Sequence, residues 1–257
     1  MRRYIAAMQS VIGTREEQQD SMFCHVDEQR VIAAVCDGMG GLESGKLASM
    51  AVIEKLKELY KEKKADETFP SFFLKIVDIL DELVFRMKSK IGEGASAGTT
   101  LTAAAIEGDD LFWLSIGDSR LYILRGDEFV QATRDHNYFL RLEQMLREKE
   151  IDERQYHVEA LRGEALISFI GKGGIELMDI NHSPFKLLPN DTILLTTDGL
   201  YKALSEEEII DCLRMENVGE ALNAMMKKAC DKARQAQDNT TCVVIRYIEE
   251  SENHETN

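Results

Sequence analysis

The alternation of apolar and polar residues divides the chain into short strand-like segments and longer helical ones. Runs rich in β-branched and aromatic residues, bounded by turn residues, are typical of strands. They predict strands at residues 4–12, 21–27, 30–36, 99–107, 110–116, 119–125, 191–197 and 240–248. The turns "DEQR", "EGDD" and "GDS" between neighbouring segments are short, which favours antiparallel pairing.

Four segments instead repeat their apolar residues at the spacing of one helix face. These predicted helices cover residues 44–64, 71–91, 205–214 and 218–235. Residues 137–170 also have a helical pattern but are more polar, with a run of charge at 147–154. We expect a surface insertion at about residues 137–180, hereafter called the insertion.

The order of these elements limits the fold. Two antiparallel sheets stacked face to face, with a helix pair outside each, would bury every apolar face in the pattern. We therefore predict an α+β fold, a four-layer α-β-β-α sandwich. It should form one domain over residues 1–248, followed by a disordered acidic tail at 249–257, "EESENHETN".

Charge and cysteine content exclude several classes of protein. The 257-residue chain has a formal net charge of −15, which argues against a nucleic-acid partner because phosphate backbones attract positive surfaces. The five cysteines form no C-x-x-C pair and are expected to be reduced, as in a cytoplasmic protein. We find neither the apolar segment of a signal peptide nor a run of about 20 apolar residues, so no membrane location is expected.

Four aspartates lie where predicted strands begin or end. Asp37 and Asp198 each follow an apolar run, Asp238 directly precedes the last strand, and Asp118 lies in a tight turn. Each one, taken singly, is typical of a turn former or helix cap. In antiparallel sheets these ends can meet at one rim, where the acids would repel each other unless cations relieve the repulsion.

The type of ligand indicates the type of metal. The candidates are all oxygen donors, including the Gly38 carbonyl, and this favours Mg²⁺ or Mn²⁺ over zinc. Two such ions about 3.5–4 Å apart can bridge a water and make it a nucleophile for attack on phosphorus. Arg15, between the first two predicted strands, could bind the phosphate with two parallel hydrogen bonds.

Six segments in order resemble the motifs of the metal-dependent serine/threonine protein phosphatases of type 2C, the PPM family, in their compact bacterial form. They are "REEQQD", "DGMGG", "SAGTT", "IGDSR", "TTDGL" and "DNTTCVVI". The resemblance extends from Arg15 to Ile245. It implies a β-sandwich flanked by helices, with a two-metal centre at one end and the insertion as a flap beside it.

The resemblance also implies roles for individual residues. Asp37 would bridge both metals, with the Gly38 carbonyl on one of them, and Asp198 and Asp238 would hold the other. Asp118, together with Asp198, would hold a third, weaker metal.

Three further residues would assist the centre. Arg15 would bind the substrate phosphate and act in catalysis with Asp37, Asp198 and Asp238. Asp20 would order metal-bound water from behind the ligands, and Asn239 is expected beside it.

The chain departs from the family pattern at four positions. Gln18 and Gln19 replace an Asn and, in some members, a Glu, and Met39 replaces the His of animal members. Lys202 stands where many members have another Asp, which weakens the expectation of a third metal.

The first functional hypothesis is hydrolysis of phosphoserine and phosphothreonine in proteins by a water or hydroxide bridging two Mn²⁺ or Mg²⁺ ions. Two alternatives remain at this stage: a two-metal hydrolase of small phosphoesters, and a non-catalytic metal-binding regulatory module. The main acids are all present, which does not favour the regulatory module. Expected partners are phosphoprotein substrates and a cognate Ser/Thr kinase, and we expect a cytoplasmic monomer.

Overall fold

The computed structural model describes residues 2–28, 30–41, 43–91, 97–233 and 236–249. The strands are β1 (Arg2–Val11), β2 (Ser21–Val26), β3 (Arg30–Cys36), β4 (Gly38–Gly40), β5 (Ala97–Thr99), β6 (Leu101–Glu107), β7 (Asp110–Ile116), β8 (Arg120–Arg125), β9 (Glu128–Gln131), β10 (Asp179–Ile180), β11 (Phe185–Lys186), β12 (Thr192–Thr196) and β13 (Thr240–Glu249). The α-helices are α1 (Ser44–Glu62), α2 (Phe69–Ile91), α3 (Tyr138–Arg147), α4 (Glu153–Glu159), α5 (Asp198–Tyr201), α6 (Glu206–Leu213) and α7 (Val218–Ala233), and a 3-10 turn covers Ala160–Arg162.

Two antiparallel sheets form the centre of the described part of the chain. The first has the strand order β1-β13-β12-β8-β9. The second has the order β10-β7-β6-β3-β2, with β11 also paired to β7. A small additional ladder joins β4 to β5 and continues from the end of β3.

Three apolar layers hold the sandwich together, and the pleat of each strand determines which layer a residue joins. In β3, Ile32 packs toward α1 and α2, whereas Val35 faces the other sheet. In β12, Ile193 and Leu195 also face between the sheets, and Leu194 packs against the α5–α7 side. The predicted α+β fold, with its α-β-β-α layers, is confirmed.

The predicted strands and helices outside the insertion are all present, with ends shifted by a few residues. Helix α7 ends at Ala233, and β13 extends to Glu249, the first residue of the predicted tail. Residues 250–257 of that tail lie outside the described residues. No helix in the described part of the chain has the length and apolar character needed to cross a membrane.

The prediction of helix over 137–170 is wrong beyond Arg162. Residues 163–178 form bends and isolated bridges instead. Gly171, Gly173 and Gly174 adopt positive φ, a conformation that helical residues do not have. Their amides donate hydrogen bonds to the buried carboxylate of Asp81 on α2 at 2.6, 3.1 and 2.6 Å, and these bonds tie the insertion to the helix layer.

Candidate active site

The strand ends that carry the predicted acids meet in a cleft of about 710 Å³. We call it the acidic cleft. Its lining includes all but one of the predicted site residues: Arg15, Asp37, Gly38, Asp118, Asp198, Asp238 and Asn239. The remaining one, Asp20, is buried and lies behind the lining, beside Thr197.

Asp37 is held rigidly by the two threonines of the "SAGTT" segment. Its backbone N–H donates to Thr100 Oγ1 at 2.8 Å, and its carbonyl accepts from the Thr100 N–H and from Thr99 Oγ1, both at 2.9 Å. Thr100 Oγ1 also lies 2.7 Å from Ser119 Oγ, which joins Asp37 to the turn that carries Asp118. The threonines therefore fix the backbone and leave the Asp37 carboxylate for the cleft.

Asp118 occupies a turn that only glycine permits at the preceding position. Gly117 has φ +104°, and a Cβ there would lie 2.6 Å from Thr100 Cγ2. Tyr201 donates from its hydroxyl to the Asp118 carbonyl at 3.1 Å. Burial, together with the charge of Asp198, raises the pKa of the Asp118 carboxyl to about 7.

Asp198 is the first residue of α5, directly after Thr197, so its carboxylate lies at a helix N-terminus on the rim of the sandwich. Thr197 Oγ1 donates to Asp20 Oδ2 at 2.8 Å and accepts from the Thr241 N–H at 3.0 Å. Gly199 is needed because a Cβ there would collide with the backbone of Asn239. These contacts hold the "TTDGL" and "DNTT" segments against each other.

Asp238 and Arg15 meet across the cleft although they are far apart in sequence. Arg15 Nη2 lies 2.7 Å from Asp238 Oδ2, with the two side chains 60% and 37% exposed. Asn239 holds the loop that carries Arg15: its Oδ1 accepts from the Gln19 N–H at 2.8 Å, and its Nδ2 donates to the carbonyls of Ile12 and Glu17 at 2.9 and 3.0 Å. Asn239 therefore links the start of the last strand, β13, to the β1–β2 loop through three hydrogen bonds.

The structure adds a reason for glycine at position 38. We expected the Gly38 carbonyl to face a cation, and a further constraint comes from the neighbouring backbone. A Cβ at Gly38 would overlap the carbonyl oxygens of Gly45 and Gln19, so glycine lets the start of α1 approach β4. Gly40 has φ +139°, a conformation that favours glycine, while Gly41 has open space around its Cβ position.

The electrostatics of the cleft are those of crowded carboxylates. Burial, and then the charges of Asp20, Asp198, Asp118 and Asp238, raise the pKa of Asp37 well above its ordinary value. Burial also raises the pKa of Asp20 to about 7, against the hydrogen bonds that stabilise its ionised form. A site of this kind gains by binding cations.

Among the described residues, no group of three His, Cys, Asp or Glu side chains is already arranged to hold a metal ion. The oxygen donors of the cleft are nevertheless of the type that hard divalent cations prefer. Two carboxylates are engaged by the chain's own cations: Asp238 by Arg15 and Asp198 by Lys202. Asp20 Oδ1 and Asp198 Oδ1 are buried and have no hydrogen-bond partner. Such unpaired oxygens, next to the Gly38 backbone and Asp37, are the ligands that Mg²⁺ and Mn²⁺ prefer.

Two residues of the cleft wall were not recognised from the sequence. Glu164, in the insertion, lines the cleft and accepts a hydrogen bond from Lys202 at 3.0 Å. Leu166 lies beside it in the same wall. No sequence signal pointed to either residue, because the insertion has no pattern that relates it to the strand ends. Lys202 was noted only as a departure from a motif.

Comparison with known proteins identifies the same family that the sequence motifs resemble. The family model of protein phosphatase 2C matches residues 9–239. The serine/threonine phosphatase stp of Listeria innocua is 28% identical over 239 residues, which cover 91% of each chain.

Solved structures agree over nearly the whole chain. The serine/threonine phosphatase PstP/Ppp of Mycobacterium tuberculosis superposes with a TM-score of 0.77 at 26% identity, covering 96% of this chain and 99% of that one. The catalytic domain of PstP in complex with two manganese ions gives a TM-score of 0.75 at 25% identity, with 97% and 100% covered. The match to the family model, the fold and the acidic cleft lead to one conclusion: this chain belongs to the protein phosphatase 2C family.

Proposed function

We propose that the protein removes phosphate from phosphoserine and phosphothreonine side chains of other proteins in a reaction that depends on Mn²⁺ or Mg²⁺. The observation that carries the proposal is the acidic cleft, where Asp37, Asp118, Asp198 and Asp238 meet beside Arg15. Two divalent cations bound there would supply a water nucleophile at neutral pH and neutralise charge on the phosphate.

The acids have different tasks in this proposal. Asp37, fixed by Thr99 and Thr100, would contact both cations, and the Gly38 carbonyl would contribute to one of them. Asp198 and Asp238 would complete the second site. Hydrogen bonds hold the element ends from which Asp37 and Asp198 project.

Arg15 and Asp20 act next to this centre. Arg15 now pairs with Asp238, and with Asp238 engaged in holding a cation, the guanidinium would be available to bind two phosphate oxygens. Asp20, whose Oδ1 has no protein partner, would accept a hydrogen bond from water in the centre. Asn239 keeps the Arg15 loop within reach of the cleft.

The exposed rim of the cleft supports a protein substrate. Arg15, Glu16 and Glu164 line the cleft and are exposed, so a phosphorylated side chain could enter while the flanking peptide lies across the surface. We also propose that the protein is a cytoplasmic monomer that opposes a cognate Ser/Thr kinase. The absence of disulfides among Cys24, Cys36, Cys212, Cys230 and Cys242 is in keeping with a reducing compartment.

The test is an assay of phosphate release from a phosphothreonine peptide with Mn²⁺, followed by excess chelator and then by restored Mn²⁺. We expect activity to disappear and return. A phosphotyrosine peptide of the same sequence and a nucleotide serve as matched controls and should be poor substrates. Undiminished turnover in chelator would contradict the reaction, and a preference for the nucleotide would instead favour a small-phosphoester hydrolase.

A further inference from the structure

Lys202 is the feature of the acidic cleft that the proposed reaction does not yet use. We propose that its ammonium group supplies, between Asp118 and Asp198, the positive charge that a third cation would otherwise supply, so that this chain takes two divalent cations and not three. The inference rests on the proposed function, because it concerns how many cations the same cleft binds.

The contacts of Lys202 are those of a built-in counter-ion. Its Nζ lies 3.0 Å from Asp198 Oδ2 and 3.0 Å from Glu164 Oε2, so it bridges the first turn of α5 and the insertion. The Asp198 side chain is only 13% exposed, which limits the screening of this pair by water. Glu164 is 71% exposed and serves mainly to orient the ammonium.

Asp198 can hold Lys202 and a cation at the same time, because it presents its two oxygens to different neighbours. Oδ2 engages Lys202, whereas Oδ1 is buried and has no hydrogen-bond partner. Lys202 therefore does not block the cation that Asp198 shares with Asp238. Its Nζ contacts the other oxygen, Oδ2.

The residue next to Lys202 contacts the turn that carries Asp118. Tyr201, the residue before Lys202, donates from its hydroxyl to the Asp118 carbonyl at 3.1 Å, and the Arg120 guanidinium stacks 3.5 Å from the Tyr201 ring centroid. The charge of Lys202 opposes the burial and the Asp198 charge that raise the pKa of Asp118. A further divalent ion at Asp118 would thus meet an ammonium already held nearby by Asp198, and like charges repel.

The number of bound cations distinguishes the two possibilities, and it can be measured without any assay of turnover. Isothermal titration of the full, metal-free chain with Mn²⁺ should show two sites. Lys202→Asp removes the ammonium and adds a carboxylate beside Asp118 and Asp198, and it should show a third, weaker site. Lys232→Asp makes the same charge change beside Glu208, outside the cleft, and should keep two sites.

A second variant covers the case in which Lys202→Asp does not fold. Asp118→Asn in the otherwise unchanged chain should still bind two Mn²⁺ ions, since Lys202 and not Asp118 fills that side of the centre. Three sites in the unchanged chain, loss of a site in Asp118→Asn, or only two sites in folded Lys202→Asp would each overturn the inference. If the unchanged chain binds no Mn²⁺, the proposed function itself fails, which is a distinct result.

Discussion

Asp37 is the residue of the acidic cleft on which the charges of the other four aspartates act. Burial, and then the charges of four other aspartates, raise its pKa, while Thr99 and Thr100 fix its backbone. Its carboxylate therefore costs stability in the metal-free protein, whereas in the proposed reaction it would be needed to hold the cations. The same group should have opposite effects on folding and on activity.

Asp37→Asn tests this opposition. Phosphatase activity with saturating Mn²⁺ should fall at least about 100-fold, since even residues behind a metal ligand cost 10- to 100-fold when lost. In chelator, the melting temperature should rise, because a neutral amide removes like-charge repulsion. Asp78→Asn, on the exposed face of α2, is the matched control and should change neither quantity. Near-normal turnover of Asp37→Asn would refute its role as the bridging ligand.

Arg15 makes a different kind of contribution, because its ion pair with Asp238 is too exposed to stabilise the fold much. Arg15→Ala should raise KM for a phosphothreonine peptide and lower kcat if the guanidinium also stabilises the transition state. Arg15→Lys keeps the charge but loses the paired hydrogen bonds, so it should recover only part of the loss. Steady-state kinetics measure both parameters. Unchanged values in Arg15→Ala would mean that Arg15 is an ordinary surface residue.

At the scale of elements, the loop between β1 and β2 shows how the site is assembled. This loop carries Arg15, and its shape depends on Asn239, the residue directly before β13. Asn239 accepts a hydrogen bond from the Gln19 N–H of the loop, 220 positions away in the sequence. Gly13, with φ +64°, lets the loop pass close to the carbonyls of Gln237 and Asp238. The position of Arg15 is therefore determined by the opposite end of the chain.

Asn239→Ala should release this loop. It removes three hydrogen bonds and leaves the Gln19 N–H and the Ile12 and Glu17 carbonyls without this partner, which should lower the free energy of unfolding by about 1–3 kcal/mol. KM for a phosphopeptide should rise as well, because Arg15 loses its support. Urea unfolding and kinetics provide the two measurements.

The matched control for that variant is Asn217→Ala, which removes the cap of α7 outside the cleft. It should lower stability by about 1 kcal/mol and leave KM unchanged. Equal effects of the two variants on KM would show that Asn239 acts through general stability and not through the Arg15 loop.

For the whole molecule, the acids of the cleft connect stability, pH and metal. Burial is the main cause that raises the pKa of Asp20 and Asp118 from 3.8 to about 7, so between about pH 4 and 7 the folded protein binds more protons than the unfolded chain. Without metal, the contribution of these groups to stability should therefore fall as pH rises through that window and level off above it. Saturating Mn²⁺ should reverse the trend, because cations bind the ionised carboxylates.

Thermal unfolding of the metal-free chain from pH 4.5 to 8, with and without Mn²⁺, measures this linkage. The double variant Asp20→Asn, Asp118→Asn should flatten the metal-free profile. The same slope in this variant and in the unchanged chain would mean that other groups dominate the pH dependence.

The sequence by itself determined the layers of this protein and the identity of its acids. The period-2 and helical patterns predicted the strands and paired helices, because burying their apolar faces leaves few arrangements. The aspartates at strand ends, such as Asp37 and Asp198, could be predicted to meet, since antiparallel strands bring their ends to shared rims. The short strands and the irregular half of the insertion could not be predicted, because they depend on contacts with distant residues. In the insertion, for example, glycine amides donate hydrogen bonds to the Asp81 carboxylate.

Only the tertiary structure decided how the charges of the cleft are paired. Arg15 meets Asp238 and Lys202 meets both Asp198 and Glu164, and of these contacts only that between Lys202 and Asp198 is local in sequence. It also decided that Gly38 makes room for the backbone of α1. Electrostatic pairing and close packing act through space over a few ångströms, so residues more than 200 positions apart become partners that no local pattern records.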